Sequence, residues 1–223
     1  MKPVALILAS VICIVLAADG SYAQDAAVSL KRKDYAKSLL GAAEKGDIVQ
    51  VKALLAKGAN VNITDTDGMT PLMFAATRDH EDIVKILIAA HADVNAIDRL
   101  GNTALINAAF GPHADFVKVL IAARANVNVK NRDGLTALME ASQILQSTSV
   151  KSLIAAHANV DSRDKSGMTA LIYAAKNWDT ASVRLLLAAH ADVNAKDNDG
   201  NTALTATSSF DVKTILRFAG AKD

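Results

Sequence analysis

A five-residue pattern, Gly-x-Thr-x-Leu, recurs five times in this chain at a fixed distance. Its copies begin at Gly68, Gly101, Gly134, Gly167 and Gly200, so that each follows the previous one after 33 residues. A constant period of this length is typical of architectures built from repeated supersecondary units. One such unit cannot cover its own apolar face, and the units must therefore stack into a solenoid.

Each repeat predicts two helices. A threonine lies two residues after each glycine, where its hydroxyl can accept a backbone N–H bond at a helix start. Pro71 falls in the first turn of one such helix, where a missing N–H costs nothing. The second helix is indicated by apolar residues at helical spacing, as in residues 83–88. A left-handed residue is expected at its end, at Gly58, His91, Arg124, His157 and His190.

The motifs Gly-x-Thr-Pro-Leu, Ala-Ala, Ile-Val-x-x-Leu and Gly-Ala-x-Val-Asn are the marks of the ankyrin repeat family, which this chain resembles from about residue 35 to its end. The resemblance implies an all-α fold, an ankyrin-repeat solenoid of helix-turn-helix units joined by β-hairpin-like finger loops. One departure is clear. The histidine that commonly follows Thr-Pro-Leu is replaced here by Met73, Ile106, Met139, Ile172 and Thr205.

The register predicts six units, with both end units modified. The N-terminal capping repeat covers residues 35–64, and the C-terminal capping repeat covers residues 197–223. Between them we place four full repeats, at residues 65–97, 98–130, 131–163 and 164–196.

The first 23 residues predict a secretory signal peptide. They contain Lys2, an apolar run from Val4 to Ala18, and then small residues at Ser21 and Ala23. The alternative is a membrane anchor, but the run of about 15 residues is shorter than the roughly 20 that span a bilayer. We expect cleavage after Ala23, a linker at residues 24–34, no stable membrane anchor afterwards, and a periplasmic or secreted location.

Charge and cysteine content narrow the function classes. The formal net charge is +1, which gives no bulk attraction to nucleic acid or to an acidic membrane. The single cysteine, Cys13, lies in the predicted signal peptide. The cleaved chain would therefore have no disulfide, and its stability would come from packing.

Catalysis and metal binding have weak support in the sequence. His91, His157 and His190 recur at one repeat position, but packed helices about 8–10 Å apart would separate them too far for shared metal ligation at about 2 Å. We therefore predict a helix-end role for them, with no metal and no cofactor. Glu140 could be a buried acid with a raised pKa; the favoured alternative is a solvated residue hydrogen-bonded near Asn107. An enzyme centred on Glu140 is the remote alternative.

The resemblance implies a concave surface, formed by the finger tips and the exposed side of each first helix, that binds proteins in the family. At the finger tips, cations recur two residues before the repeat glycine, at Arg99, Arg132 and Lys165. A second row of cations recurs nearby at Lys130, Arg163 and Lys196. Either these form a basic strip that contacts an acidic segment of a partner, or neighbouring aspartates offset them.

Apolar residues stand where the first helix should be exposed. Phe110, Ile144 and Trp178 occupy the region after each first helix, and Leu135 and Tyr173 belong to the same groove. Aromatic residues with nearby arginine are typical of a binding hot spot. The alternative is that these side chains seal the seams between repeats. The predicted partner contacts are Arg99, Phe110, Arg132, Leu135, Ile144, Lys165, Tyr173 and Trp178.

The sequence thus predicts a non-catalytic protein–protein interaction module, a monomer, in the bacterial envelope, as scaffold or protector of a periplasmic enzyme. Two other roles remain open, an inhibitor or immunity-type protein that blocks a toxin or hydrolase, and a secreted host-directed effector. A purely structural spacer is a further alternative. No nucleic acid partner is expected.

Overall fold

The fold was analysed in a computed structural model, which describes residues 38–111 and 114–222. The predicted signal peptide, the linker and the first three residues of the N-terminal capping repeat lie outside the described residues. The division into six units follows from sequence register alone and stays a prediction.

The described residues form twelve helices and no strand. The first helix of each unit is followed closely by the second, and the fingers between units are turns. The helices are α1 (38–45), α2 (Ile48–Ala56), α3 (Pro71–Thr77), α4 (Glu81–Ala89), α5 (Ala104–Phe110), α6 (Ala114–Ala122), α7 (Ala137–Gln143), α8 (Ser147–Ala155), α9 (Ala170–Lys176), α10 (Thr180–Ala188), α11 (Ala203–Ala206) and α12 (Phe210–Phe218). The all-α prediction is confirmed.

The repeated threonines start the first helices, as predicted. In each of five units the threonine Oγ1 accepts a bond from the backbone N–H three residues on, at N···O distances of 3.2–3.3 Å. Pro71 occupies the first turn of α3. A cap of this kind stabilises a helix by about 1 kcal/mol, which matters for helices as short as α3 and α11.

The second helices end at the predicted left-handed residues. The φ angles are 79° at Gly58, 63° at His91, 66° at Arg124, 63° at His157 and 64° at His190. The recurring histidines therefore have the helix-end role that the sequence predicts. The backbone N–H of the residue after each of them bonds back into the helix, as Ala92 does to Leu87 O at 3.0 Å.

The core is a continuous layer between the two rows of helices. Each unit contributes a leucine from its first helix and a valine and leucine from its second, all fully buried, as with Leu138, Val150 and Leu153. Paired small residues let first helices approach one another closely, and α3, α5, α7, α9 and α11 pack side by side in that order. Truncating one such leucine to alanine typically costs about 2–5 kcal/mol.

Two hydrogen-bond ladders connect successive fingers. The first joins backbone to backbone at 2.8–2.9 Å: Arg99 N to Asp67 O, Arg132 N to Leu100 O, Lys165 N to Asp133 O and Asn198 N to Ser166 O. The second uses a side-chain oxygen of each unit to accept a backbone N–H of the next. Its acceptors are Asn62, Asn95, Asn128, Asp161 and Asn194, at 2.8–2.9 Å. Each finger is thus positioned by its neighbours.

The repeat glycine is required where one finger lies against the next. Gly134 has a φ of 82°, and a Cβ added there would lie 2.9 Å from Asp164 Cα. That distance is shorter than a normal contact, and the obstacle is backbone. Both the left-handed conformation and the close approach therefore select glycine.

We predict that Gly134→Ala lowers the free energy of unfolding by about 2 kcal/mol, from the left-handed penalty of about 1–2 kcal/mol and the added contact. Gly41 is the matched control, because it lies in α1 with no atom within 4 Å of an added Cβ. Gly41→Ala should instead raise stability by about 0.5–1 kcal/mol. Urea unfolding followed by circular dichroism measures both, and a Gly134→Ala protein as stable as the native chain would refute the role given to the finger contact.

Candidate partner-binding surface

The three predicted finger-tip cations, Arg99, Arg132 and Lys165, are all exposed. Their backbone amides form the ladder between fingers, while their side chains take no part in it. Among the described residues, Arg99 and Arg132 form no ion pair, and Lys165 Nζ lies 3.9 Å from Asp133 Oδ1. An exposed pair of this kind contributes about 0–1 kcal/mol. One alternative was that neighbouring aspartates offset these cations. Of the three cations, only Lys165 has an ion pair with an aspartate among the described residues.

The second row of cations has a structural role. Lys130 Nζ donates to the backbone carbonyl of Arg163 at 2.9 Å. The Arg163 guanidinium donates to the carbonyl of Lys196. These side chains connect neighbouring fingers, whereas Arg99 and Arg132 remain available at the tips.

Large apolar side chains are exposed after the first helices. Phe110, Leu145 and Trp178 are 62%, 57% and 61% exposed, and Ile144 is half-buried. Phe110 and Trp178 therefore do not seal the seams between repeats, which was the alternative role. We name Phe110, Ile144, Leu145 and Trp178 the apolar edge. Phe110 is the last residue of α5, and the other three residues follow α7 or α9; these three helices pack side by side.

Two residues of the apolar edge have a strained backbone. Leu145 and Trp178 have φ angles of 63° and 61°. The first unit has Gly46 at the same register position, with a φ of 78°. A left-handed conformation costs a bulky residue roughly 1–2 kcal/mol more than glycine. These two residues follow helix ends, as the left-handed histidines do, but here the side chain is apolar, bulky and exposed. Backbone strain at functional sites is often retained for the sake of the site.

Tyr173 and Leu135 are half-buried residues of the groove. The Tyr173 hydroxyl donates to Asp164 Oδ2 at 2.6 Å. Burial raises the pKa of the Tyr173 phenol, and the hydrogen bond to Asp164 raises it further. Tyr173 is thus held in one orientation as a neutral phenol, with its ring at the edge of the groove.

Glu140 lies on α7 and is only 8% exposed. Burial raises the pKa of its carboxyl group. The favoured expectation, a solvated residue hydrogen-bonded near Asn107, is therefore wrong, and the alternative of a buried acid is right. The difference arises because α5 and α9 pack on the two sides of α7 and remove water from Glu140.

Glu140 lines a cavity in the groove. The cavity has a volume of about 210 Å³ and is lined by Thr77, Asn102, Ile106, Asn107, Phe110 and Glu140. We call it the Glu140 pocket. Sequence reasoning singled out Phe110 and Glu140 separately and missed their juxtaposition. The signal was their placement on first helices of adjacent repeats.

The hydroxyl groups of two residues near Glu140 already donate to backbone carbonyls. The Thr77 hydroxyl donates to Met73 O at 2.9 Å, and the Ser142 hydroxyl is buried and donates to Leu138 O at 2.8 Å. An activated nucleophile needs a base within hydrogen-bond reach, and the pocket lining supplies no pair of this kind. In the part of the chain that the structure describes, no three His, Cys, Asp or Glu side chains are grouped as metal ligands.

The ankyrin repeat model, a family model of three copies, matches residues 39–131, 80–164, 108–197 and 138–219. The chain therefore belongs to the ankyrin repeat family, and the predicted resemblance is confirmed. Proteins of this family are typically non-catalytic, and the repeats define this chain as a protein–protein interaction module. A search of curated proteins finds no match to the chain.

Over residues 38–111 and 114–222, no helix has both the length and the apolar character needed to cross a bilayer.

We predict that Glu140→Gln raises the free energy of unfolding at about pH 8, because the amide keeps the size and polarity of the side chain and removes the charge that burial disfavours. An acid with a raised pKa binds its proton more tightly when folded, so the native stability falls as pH rises through the folded pKa. The advantage of the variant should therefore disappear toward about pH 4, near the usual glutamate range.

Glu81→Gln is the control for this pH dependence. Glu81 is a half-buried residue of α4 that pairs with Lys85 one turn away. Its removal should lower stability slightly at about pH 8, by a few tenths of a kcal/mol. Thermal unfolding of the three proteins across the pH range measures the effect, and parallel curves for the native chain and Glu140→Gln would contradict the burial of a charged carboxyl.

Proposed function

We propose that this chain binds another protein through its concave groove in the bacterial envelope, as a scaffold or protector of a periplasmic enzyme. The observation that carries the proposal is the apolar edge. Two bulky residues, Leu145 and Trp178, are exposed on a left-handed backbone that glycine would occupy at lower cost. A stacking role gives no reason to keep these side chains there, whereas a contact with a partner does.

The composition of the surface supports this function. Binding energy in interfaces concentrates on a few aromatic and arginine residues near the centre. Phe110 ends α5, Tyr173 lies on α9 and Trp178 follows α9, while Arg99 and Arg132 lie at the finger tips. We infer that these residues, with Leu135, Ile144 and Lys165, form the contact surface.

The fingers and helices are positioned before a partner arrives. Both hydrogen-bond ladders connect each finger to the next, and Tyr173 is held by Asp164. A preorganised surface loses little conformational entropy on binding. The exposed Arg99 and Arg132 would attract an acidic segment of the partner and increase the rate of association.

The envelope location is supported by the sequence of residues 1–23, which has the charged start, apolar run and small-residue site of a cleavable signal. An exported monomer that stabilises an enzyme should extend the half-life of its activity. An inhibitor would instead abolish the activity, and a host-directed effector would be recovered from the culture medium. These outcomes separate the three roles of the same groove.

The left-handed backbone at Trp178 predicts that a glycine variant is more stable than an alanine variant, the reverse of the usual order within a helix. Both Trp178→Gly and Trp178→Ala remove the indole, but only alanine keeps the left-handed strain. We expect the glycine variant to be more stable by about 1 kcal/mol, with equal loss of partner binding.

Lys151 provides the control, because it is exposed within α8. There alanine should be more stable than glycine by about 1 kcal/mol. Chemical denaturation of the four variants decides the matter. If Trp178→Ala is at least as stable as Trp178→Gly, the backbone at Trp178 is not strained. The strain then gives no support to a partner contact at this residue.

We predict that replacing Arg132 and Trp178 together with alanine weakens partner binding by about 30-fold to 1,000-fold, as expected for loss of two contact residues of about 1–2 kcal/mol each. Folding should be retained, because the Arg132 amide stays in the backbone ladder. The measurement is affinity capture from periplasmic extract, followed by titration of any captured protein.

The control is the double substitution of Lys151 and Arg184 with alanine, because both are exposed on second helices. It should retain the captured protein at native affinity. A protein held equally by all three chains would show that the groove is not the binding surface.

A further inference from the structure

The Glu140 pocket contains hydrogen-bonding groups that the fold does not use. Both polar atoms of the Asn102 side chain take part in the finger contacts, because Nδ2 donates to Asp98 Oδ2 at 3.3 Å and Oδ1 accepts from Asn131 Nδ2 at 2.9 Å. The Thr77 hydroxyl donates to Met73 O. Among the described residues, no side-chain hydrogen bond or ion pair is formed by Asn107 or Glu140. Glu140, a residue only 8% exposed, thus lines an accessible cavity with a carboxyl group that has no donor.

The walls of the pocket are suited to a side chain with an apolar stem and a cationic end. Ile106 provides aliphatic surface, and the ring of Phe110 lies on the same lining. Lysine and arginine bury their methylene stems along apolar surfaces, and an aromatic ring attracts the cationic group within about 6 Å. The Glu140 carboxylate would accept charge-assisted hydrogen bonds from that group, and the Asn107 amide oxygen is a second acceptor.

We propose that the Glu140 pocket receives one lysine or arginine side chain of the partner protein. The inference deepens the proposed function and rests on it, since it names the chemistry that the groove recognises. A cationic side chain would give the Glu140 carboxylate the hydrogen-bond donor that it lacks within the fold. An acidic side chain would be repelled, an apolar one would leave the carboxyl group without a donor, and a neutral donor would form a weaker hydrogen bond than a charged one.

Together with the finger tips, the pocket defines a charge pattern for the partner. The exposed Arg99 and Arg132 favour acidic residues, whereas the pocket in the groove requires a single basic one. A partner with the opposite arrangement would place like charges together, which costs several kcal/mol. The pattern would therefore give specificity in addition to affinity.

The test uses small probes that carry only the proposed group. The purified protein, labelled with nitrogen-15, is titrated with n-butylguanidinium and n-butylammonium chloride, and with butyramide as a neutral probe, at constant ionic strength. We expect at least one cation to give saturable shifts of the Asn107 and Glu140 amide signals at millimolar concentration. Butyramide should bind at least tenfold more weakly.

Two variants identify the group responsible. Glu140→Gln should weaken the cationic probe at least tenfold while leaving the spectrum of the fold intact. The control is Glu44→Gln, since Glu44 is half-buried and already pairs with Arg78 at 2.8 Å. It should leave probe binding unchanged. Equal binding of cationic and neutral probes, or equal affinity for the native and Glu140→Gln proteins, would overturn the proposal.

This result is separate from the test of the binding function. A saturable cation site with no captured protein would support the pocket and reject the proposed envelope partner. If a protein is captured and its affinity is unchanged by Glu140→Gln, the groove remains the proposed binding surface, but the proposed lysine or arginine contact is wrong. A captured protein lost from both the Glu140→Gln chain and the Arg132 and Trp178 double variant would support both.

Discussion

The structure depends on the contact between one repeat and the next. A helix pair of this size has an apolar face that it cannot cover alone, and the described core is continuous because each unit closes the face of its neighbour. Gly134 shows how close this contact is, since even a methyl group would meet the backbone of the following finger. The groove, the finger tips and the Glu140 pocket are all consequences of that spacing.

Features set by local geometry were predictable from the sequence. The threonine caps and the left-handed helix ends follow from short-range rules that the period repeats five times, so each prediction had several independent instances. The histidines at helix ends illustrate the value of this register. Read singly they suggest ligands, whereas read with Gly58 and Arg124 they indicate a backbone conformation.

Features set by neighbours were not predictable in the same way. Glu140 has the register position of Asn107 and Tyr173, yet its burial depends on how α5 and α9 enclose α7. The two rows of finger cations look alike in sequence. Only their contacts separate Lys130 and Arg163, which bond to carbonyls of the next finger, from Arg99 and Arg132, which do not. The exposure of Phe110 and Trp178 likewise depends on how the helices pack, which the sequence pattern alone does not determine.

The finger ladders have a mechanical consequence. Each link joins a unit only to its immediate neighbours, so a pulling force applied at the two ends is carried by the junctions in series. All junctions then bear the same load, and extension begins at the weakest of them. An elongated protein of this kind can lengthen one unit at a time under tension, keeping the remaining groove in register.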